Sequence, residues 1–181
     1  IYRDPDYLDD PLLADYLQQV WRPLLDSAQA RGELPPDADQ RYAWRLLLLR
    51  EPSVNAFALP GGYLGVHMGL LATVASADEL ASVLAHELSH VSQRHIARLL
   101  TQQSRQAPWM IASMLLGVLA ASKSKNADIG NAAIVGGQAL ALQTQLNFSR
   151  DMEREADRVG YGIMTGAGFD GAGFATLFDK L

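Results

Sequence analysis

Three of the chain's four histidines fall within SVLAHELSHVSQRH, residues 82 to 95, and two of them bracket a glutamate as His86-Glu87-x-x-His90. On a helix, residues four apart share a face, so both imidazoles can meet one cation. Glu87 sits about 100° round from His86 and flanks that face, within reach of a water held by the ion rather than of the ion itself. Two neutral ring nitrogens beside a carboxylate suit Zn²⁺, which lowers the pKa of its bound water toward ~7. The bland alternative is an amphipathic helix whose histidines are merely solvated or packed. At ordinary residue usage, a chance H-E-x-x-H in a chain this long is expected well under ~1% of the time. His95 follows His90 by five residues, about 140° round the helix and off the ligand face. It reads as a supporting or surface histidine.

A hydrolytic zinc site needs a third protein ligand and a fourth position left open. No histidine follows at the short H-E-x-x-H-x-x-G-x-x-H spacing, because residues 92–98 lack the pattern, and the chain has no cysteine. His67, at the end of an expected strand beside Gly69, reads as a packed or capping histidine. A carboxylate is the better candidate. The stretch EREAD offers Glu153 and Asp157, four apart on one helical face, with Glu155 roughly opposite. In one reading Glu153 ligates while Asp157 accepts the free N–H of a ligating histidine. In the other, the two acids are a solvated charged face. Spacing alone does not choose between them.

The elements that must position these groups are set by a chain of 181 residues, 49% hydrophobic and 19% charged, enough for a sizeable globular core. A net charge of -5 without a Lys/Arg cluster argues against a nucleic-acid partner. The absence of cysteine excludes thiol nucleophiles and disulfides and leaves the compartment open. A start at Ile1 and an end within the helical pattern FATLFDKL read as an excised domain or processed fragment.

Leu12, Leu13, Tyr16, Leu17, Val20, Leu24, Leu25 and Ala28 recur at helical spacing, with Pro23 expected to kink or break the helix and Gly32 and Pro35-Pro36 to end it. Residues 42–50 read as a buried strand. SVNAFALPGGYLGVHMG reads as strand, Pro60-Gly61 turn, strand. Ser76 and Glu79 form a capping box ahead of a helix expected over about 77–100. Residues 107–142 are rich in Ala, Leu, Ile, Met and Gly and broken by SKSKNAD at 122–128, which suggests a pair of buried or partly exposed helices. The uncharged run 107–121 falls short of the ~20 residues that span a bilayer, so the competing reading there is a membrane-facing flap. A further helix is expected from a Ser149 cap to a stop at Gly166 or Gly168, and a last one from Asp170 through Leu181.

Taken in order, NAFALPGG, ELASVLAHELSHVSQRHIAR and EREADRVG…GFD strongly resemble the gluzincin peptidase family that includes HtpX and the CAAX prenyl proteases. Within that family the chain resembles the soluble BepA-type periplasmic members. The resemblance covers essentially the whole chain. It implies a single zinc metallopeptidase domain over 1–181, of α+β class and mostly helical. An N-terminal helix and small sheet would occupy 1–68, and the catalytic helices 69–181. It implies Zn²⁺ on His86, His90 and Glu153, Glu87 as general base, and Asp157 behind a ligand. The strand through Asn55, Ala56, Phe57 and Ala58 would lie along the cleft, its open edge holding a substrate backbone by strand addition. The implied hydrolase acts on unfolded or misassembled envelope proteins, in periplasmic protein quality control.

Two departures from that family stand out. The chain lacks a full-length transmembrane helix, and it stops before the C-terminal helical-repeat domain of BepA-type proteins and the further histidine they carry. The oxyanion-stabilising role is thereby left to weak candidates, Arg150 and the tyrosines. Membrane proximity, if any, falls to 107–121. Against the endopeptidase stands a latent metal-binding chaperone or quality-control module that holds partners with little turnover, the apolar 107–121 segment closing its cleft. A purely structural metal site would need a fourth protein ligand, for which the sequence offers no good residue.

Overall fold

A computed structural model of the chain describes residues 5–102, 104, 112 and 127–180. They divide into two compact units, residues 1–94 with 154–181, and residues 95–153. The architecture is mostly helical with one three-stranded sheet, as the sequence implies.

The first unit opens on helix α1 (Pro11–Ala30). Asp10 caps it by accepting the Leu12 and Leu13 N–H groups at 3.0 and 3.1 Å, and Pro11 takes the first turn, where an N–H would be unused. The helix is not broken at Pro23, one of the two outcomes expected there. Proline costs an interior helix about 3 kcal/mol. On either side of it Val20, Trp21, Leu24 and Leu25 are buried, and each large side chain taken from water returns about 1.5–3 kcal/mol. Packing therefore outweighs the local penalty. The helix ends at Arg31, and Gly32 follows in the left-handed region at φ 73°. A single helical turn, α2 (Ala38–Arg41), leads on to the sheet.

Strands β1 (Arg45–Leu49), β2 (Ala56–Leu59) and β3 (Tyr63–His67) pair in the order β1-β3-β2. β1 runs parallel to β3, and β2 pairs antiparallel with it, Leu59 opposite Tyr63. The expected turn is present: Gly61 and Gly62, at φ 90° and 81°, close the hairpin after Pro60. β3 leads into the short helix α3 (Met68–Thr73), and helix α4 (Ala77–Ser92) follows.

Half of the capping box at α4 forms as expected, Ser76 Oγ accepting the Glu79 N–H at 3.2 Å. The other half is displaced by one residue, for the Glu79 carboxylate accepts the Ala75 N–H at 2.7 Å. The same carboxylate receives Lys180 Nζ at 2.6 Å on both oxygens, tying the chain's last described residue to the start of α4. The Ala75 N–H, then the Lys180 ammonium, hold the Glu79 carboxyl below its ordinary value of 4.5. A lowered folded pKa stabilises the fold above the ordinary value, and the gain is lost as pH falls through the lowered one. Urea midpoints of the parent chain and Glu79→Gln should therefore differ at neutral pH and converge in strong acid. Parallel curves at all pH values would contradict this assignment.

Helix α4 ends at Ser92, short of the expected 100. Gln93 N–H bonds Ser89 O at 2.9 Å, and the Gln93 side chain reaches back to Glu33 at 3.0 Å, pinning the end of the helix. Arg94 then takes a left-handed φ of 56°, and helical backbone resumes over 95–102. Helix α5 spans Ala127–Gly166 with Ser149 in its interior, so the expected cap there does not exist. The expected stop at Gly166 does. Helix α6 (Ala172–Phe178) ends before Leu181, which lies outside the described residues. Asp170 does serve its start, accepting the Ala172 N–H at 2.9 Å, while Asp78 of α4 accepts the Asp170 N–H at 2.9 Å.

The core of this unit gathers Trp21 and Leu24 of α1, Leu64 and Val66 of β3, Leu80, Leu84 and Leu88 of α4, and Val159, Ile163 and Met164 of α5. Of the readings for 107–142, the run 107–121 lies outside the described residues except for Ala112. Val135 and Leu142 on α5 are exposed. No helix among the described residues is long and apolar enough to cross a membrane.

Candidate metal centre

Leu80, Leu84 and Leu88 anchor one face of α4 in the core, which turns His86 and His90 away from it with Glu87 on the flank, all three half-buried. His86 Nε2 and His90 Nε2 face each other at 3.0 Å, with their rings edge to face at 4.8 Å between centroids. Among the described residues, these two histidines and Glu87 form the one group of three candidate ligands, its ligand atoms all within 4.8 Å of one another.

The donor set suits a zinc ion. His86 Nδ1 lies 2.9 Å from Asp157 Oδ1, so the imidazole donates there and its Nε2 lone pair is left to face His90. Two Zn–N bonds of about 2.0–2.1 Å at a tetrahedral angle set their nitrogens roughly 3.3 Å apart. The observed pair is within a few tenths of an ångström of that separation.

Asp157 reaches His86 because α5 packs its backbone directly on α4. A Cβ at Gly160 would lie 3.0 Å from the His86 N and 3.1 Å from the Ala85 carbonyl oxygen. The glycine thus sets the interhelical distance within one turn of the carboxylate. Alanine there would gain up to about 1 kcal/mol of helix propensity against that crowding. Gly160→Val gains less propensity and adds two methyl groups to the crowding, so it should cost about 1–3 kcal/mol, visible as a lower Tm. It should also weaken zinc binding; a variant that melts with the parent would show that the helices need no close approach.

The sheet closes the other side. The Ala58 N–H donates to Glu87 Oε2 at 3.1 Å, which brings the outer edge of β2 against the H-E-x-x-H helix. Within the expected segment 55–58 the roles alternate. Asn55 accepts the His67 N–H at 3.1 Å and so faces β3, whereas Ala56 and Ala58 present their backbone groups to the outer edge. The Phe57 ring covers Gly65 and meets the His67 ring edge-on at 5.6 Å.

His67 ends β3 and precedes α3, with its Nδ1 2.8 Å from Ser53 Oγ. His95 is buried, 3% exposed, so it is not a surface group; the break at Arg94 removes the continuous helix on which the 140° argument rests. Glu153 and Arg150 lie on α5 in the second unit, both exposed. In the first unit Asp157 also lines an open groove of about 460 Å³ with Arg154, Arg158, Tyr161 and Phe174. Two participants escape the sequence reading. A glycine inside a helical pattern is a known sign of close packing, and Gly160 carries that sign. The Ala58 N–H carries none, since every residue but proline has one.

The sequence model of Peptidase family M48 matches residues 11–181. The chain is 34% identical over 174 residues to the beta-barrel assembly-enhancing protease of Escherichia coli K12, covering 96% of this chain and 34% of that protein. It is 37% identical, over the same coverage, to the putative beta-barrel assembly-enhancing protease of Vibrio cholerae. It is also 34% identical to the mitochondrial metalloendopeptidase OMA1 of Arabidopsis thaliana, over 77% of this chain and 26% of that one. The chain spans about a third of the length of the beta-barrel assembly-enhancing proteases it matches.

Proposed function

The chain belongs to Peptidase family M48, and from that premise we propose that it is a zinc-dependent endopeptidase that hydrolyses peptide bonds in unfolded or misassembled envelope proteins. The observation that carries the reading is the convergence of two imidazole Nε2 atoms at 3.0 Å, one fixed from behind by Asp157 and both flanked by Glu87. His86 and His90 would hold the ion. Glu153 is proposed as the third ligand because it precedes Asp157 by one helical turn on α5 and because the family resemblance implies a glutamate ligand at this position.

When bound, zinc supplies Lewis acidity to the scissile carbonyl and acidifies the attacking water. Glu87 accepts that water's proton and returns it to the leaving amine. Asp157 keeps His86 in the tautomer that presents Nε2. An extended segment of substrate adds to the outer edge of β2 through its backbone, so the choice of substrate depends on being unfolded more than on side-chain identity. The envelope setting, in the periplasm, is supported by relatives named for beta-barrel assembly.

Cleavage of unfolded casein by the purified chain, its loss on chelation and its return on adding zinc test the proposal. Stoichiometric zinc with no cleavage would instead favour the latent binding module.

A further inference from the structure

In the free protein the Ala58 N–H is already spoken for. It is an outward-facing donor on the edge strand of the sheet, and it bonds Glu87 Oε2 at 3.1 Å. An extended chain adding to β2 must offer a carbonyl to outward donors of this strand, and by alternation these belong to Ala56 and Ala58. Substrate backbone and Glu87 carboxylate therefore compete for one hydrogen.

We infer that Glu87 is a placeholder for the substrate backbone. Its carboxylate occupies the Ala58 N–H while the cleft is empty, and strand addition displaces it toward the water it is to deprotonate. The inference rests on the endopeptidase reading above and adds a coupling to it: seating the substrate releases the base. It also answers a problem of the fold, because a bare edge donor invites pairing with any exposed strand. Here the donor is satisfied until a chain with a better-aligned acceptor arrives. Ala58 acts through Glu87 and is a positioning residue.

Two measurements that do not depend on proteolysis test the exchange. The first is amide hydrogen exchange at Ala58. Protection should be evident in the parent chain, fall in Glu87→Ala, and return when a fluorescein-labelled segment of casein is added to that variant. Equal exchange in the parent and Glu87→Ala would overturn the proposal. The second is the affinity of the same peptide, by fluorescence anisotropy in zinc-supplemented protein, for Glu87→Ala and Glu87→Gln, neither of which has a base. The amide oxygen introduced by Glu87→Gln can still accept the N–H, so Glu87→Ala should bind roughly five-fold tighter, the worth of one neutral hydrogen bond. Ala58→Pro deletes the N–H at an edge position where proline is tolerated. In that background both variants should bind weakly and equally. An affinity ratio that persists without the N–H would overturn the proposal, and the exchange experiment decides the matter if the proline variant does not fold. Failure of the parent to cleave casein would count against the endopeptidase reading and leaves both readouts intact.

Discussion

Glu87→Gln should cleave unfolded casein about 10²–10⁴-fold more slowly than the parent chain, the usual worth of a positioned general base. It should keep its zinc. The substitution preserves shape and removes only the ability to take a proton, and the Nε2 atoms of His86 and His90 already stand 3.0 Å apart. Metal content by atomic emission and casein cleavage from one preparation make the comparison. A mutant that cleaves as fast as the parent ends the base assignment. A mutant that has lost its metal would make Glu87 a ligand instead, which its place among the three converging groups makes worth checking.

Asp157→Ala should lose zinc affinity rather than chemistry. The carboxylate touches His86 at Nδ1, on the side of the ring away from His90, and its removal takes away the acceptor that fixes the tautomer presenting Nε2. Partners of this kind are worth about 10–100-fold in metal affinity. The Asp157 side chain is 49% exposed, so water replaces part of the lost interaction and the lower end of that range applies. Competition against a chromophoric chelator reads the affinity. Cleavage measured at saturating zinc should recover most of the parent rate, unlike that of Glu87→Gln. An unchanged zinc Kd would reduce Asp157 to a surface acid that happens to lie near a histidine.

What the sequence disclosed was whatever is encoded locally. The H-E-x-x-H spacing on a helix, the Ser76 cap, the Pro60-Gly61 turn and the stop at Gly166 depend on residues within a few positions of one another, and each is present. Elsewhere distant packing overruled a local signal. Pro23 sits inside α1 because Trp21 and Leu24 are buried beside it. Ser149 looks like a cap but lies in mid-helix. The break after Ser92 has no glycine or proline to announce it, and Gln93 is held instead by Glu33, 60 residues away in sequence. In the same way, the pairing of Asp157 with His86 was one of two readings until α5 was seen to pack at Gly160.

The site is also divided in time. Ala58, Glu87 and the two histidines are drawn from one hairpin and the next long helix, with 29 residues separating Ala58 from its partner. Hairpins and helices of this kind form within microseconds of emerging, because their contacts are short in sequence. Asp157 stands 71 residues beyond His86, and loop closure over that distance comes later. During synthesis from the N-terminus, the segment that carries both histidines therefore leaves the ribosome before Asp157, the carboxylate that fixes the His86 ring, is made. On the endopeptidase reading, a nascent chain made only through α4 would hold metal more weakly than one that has made α5, and would be a weak protease toward itself.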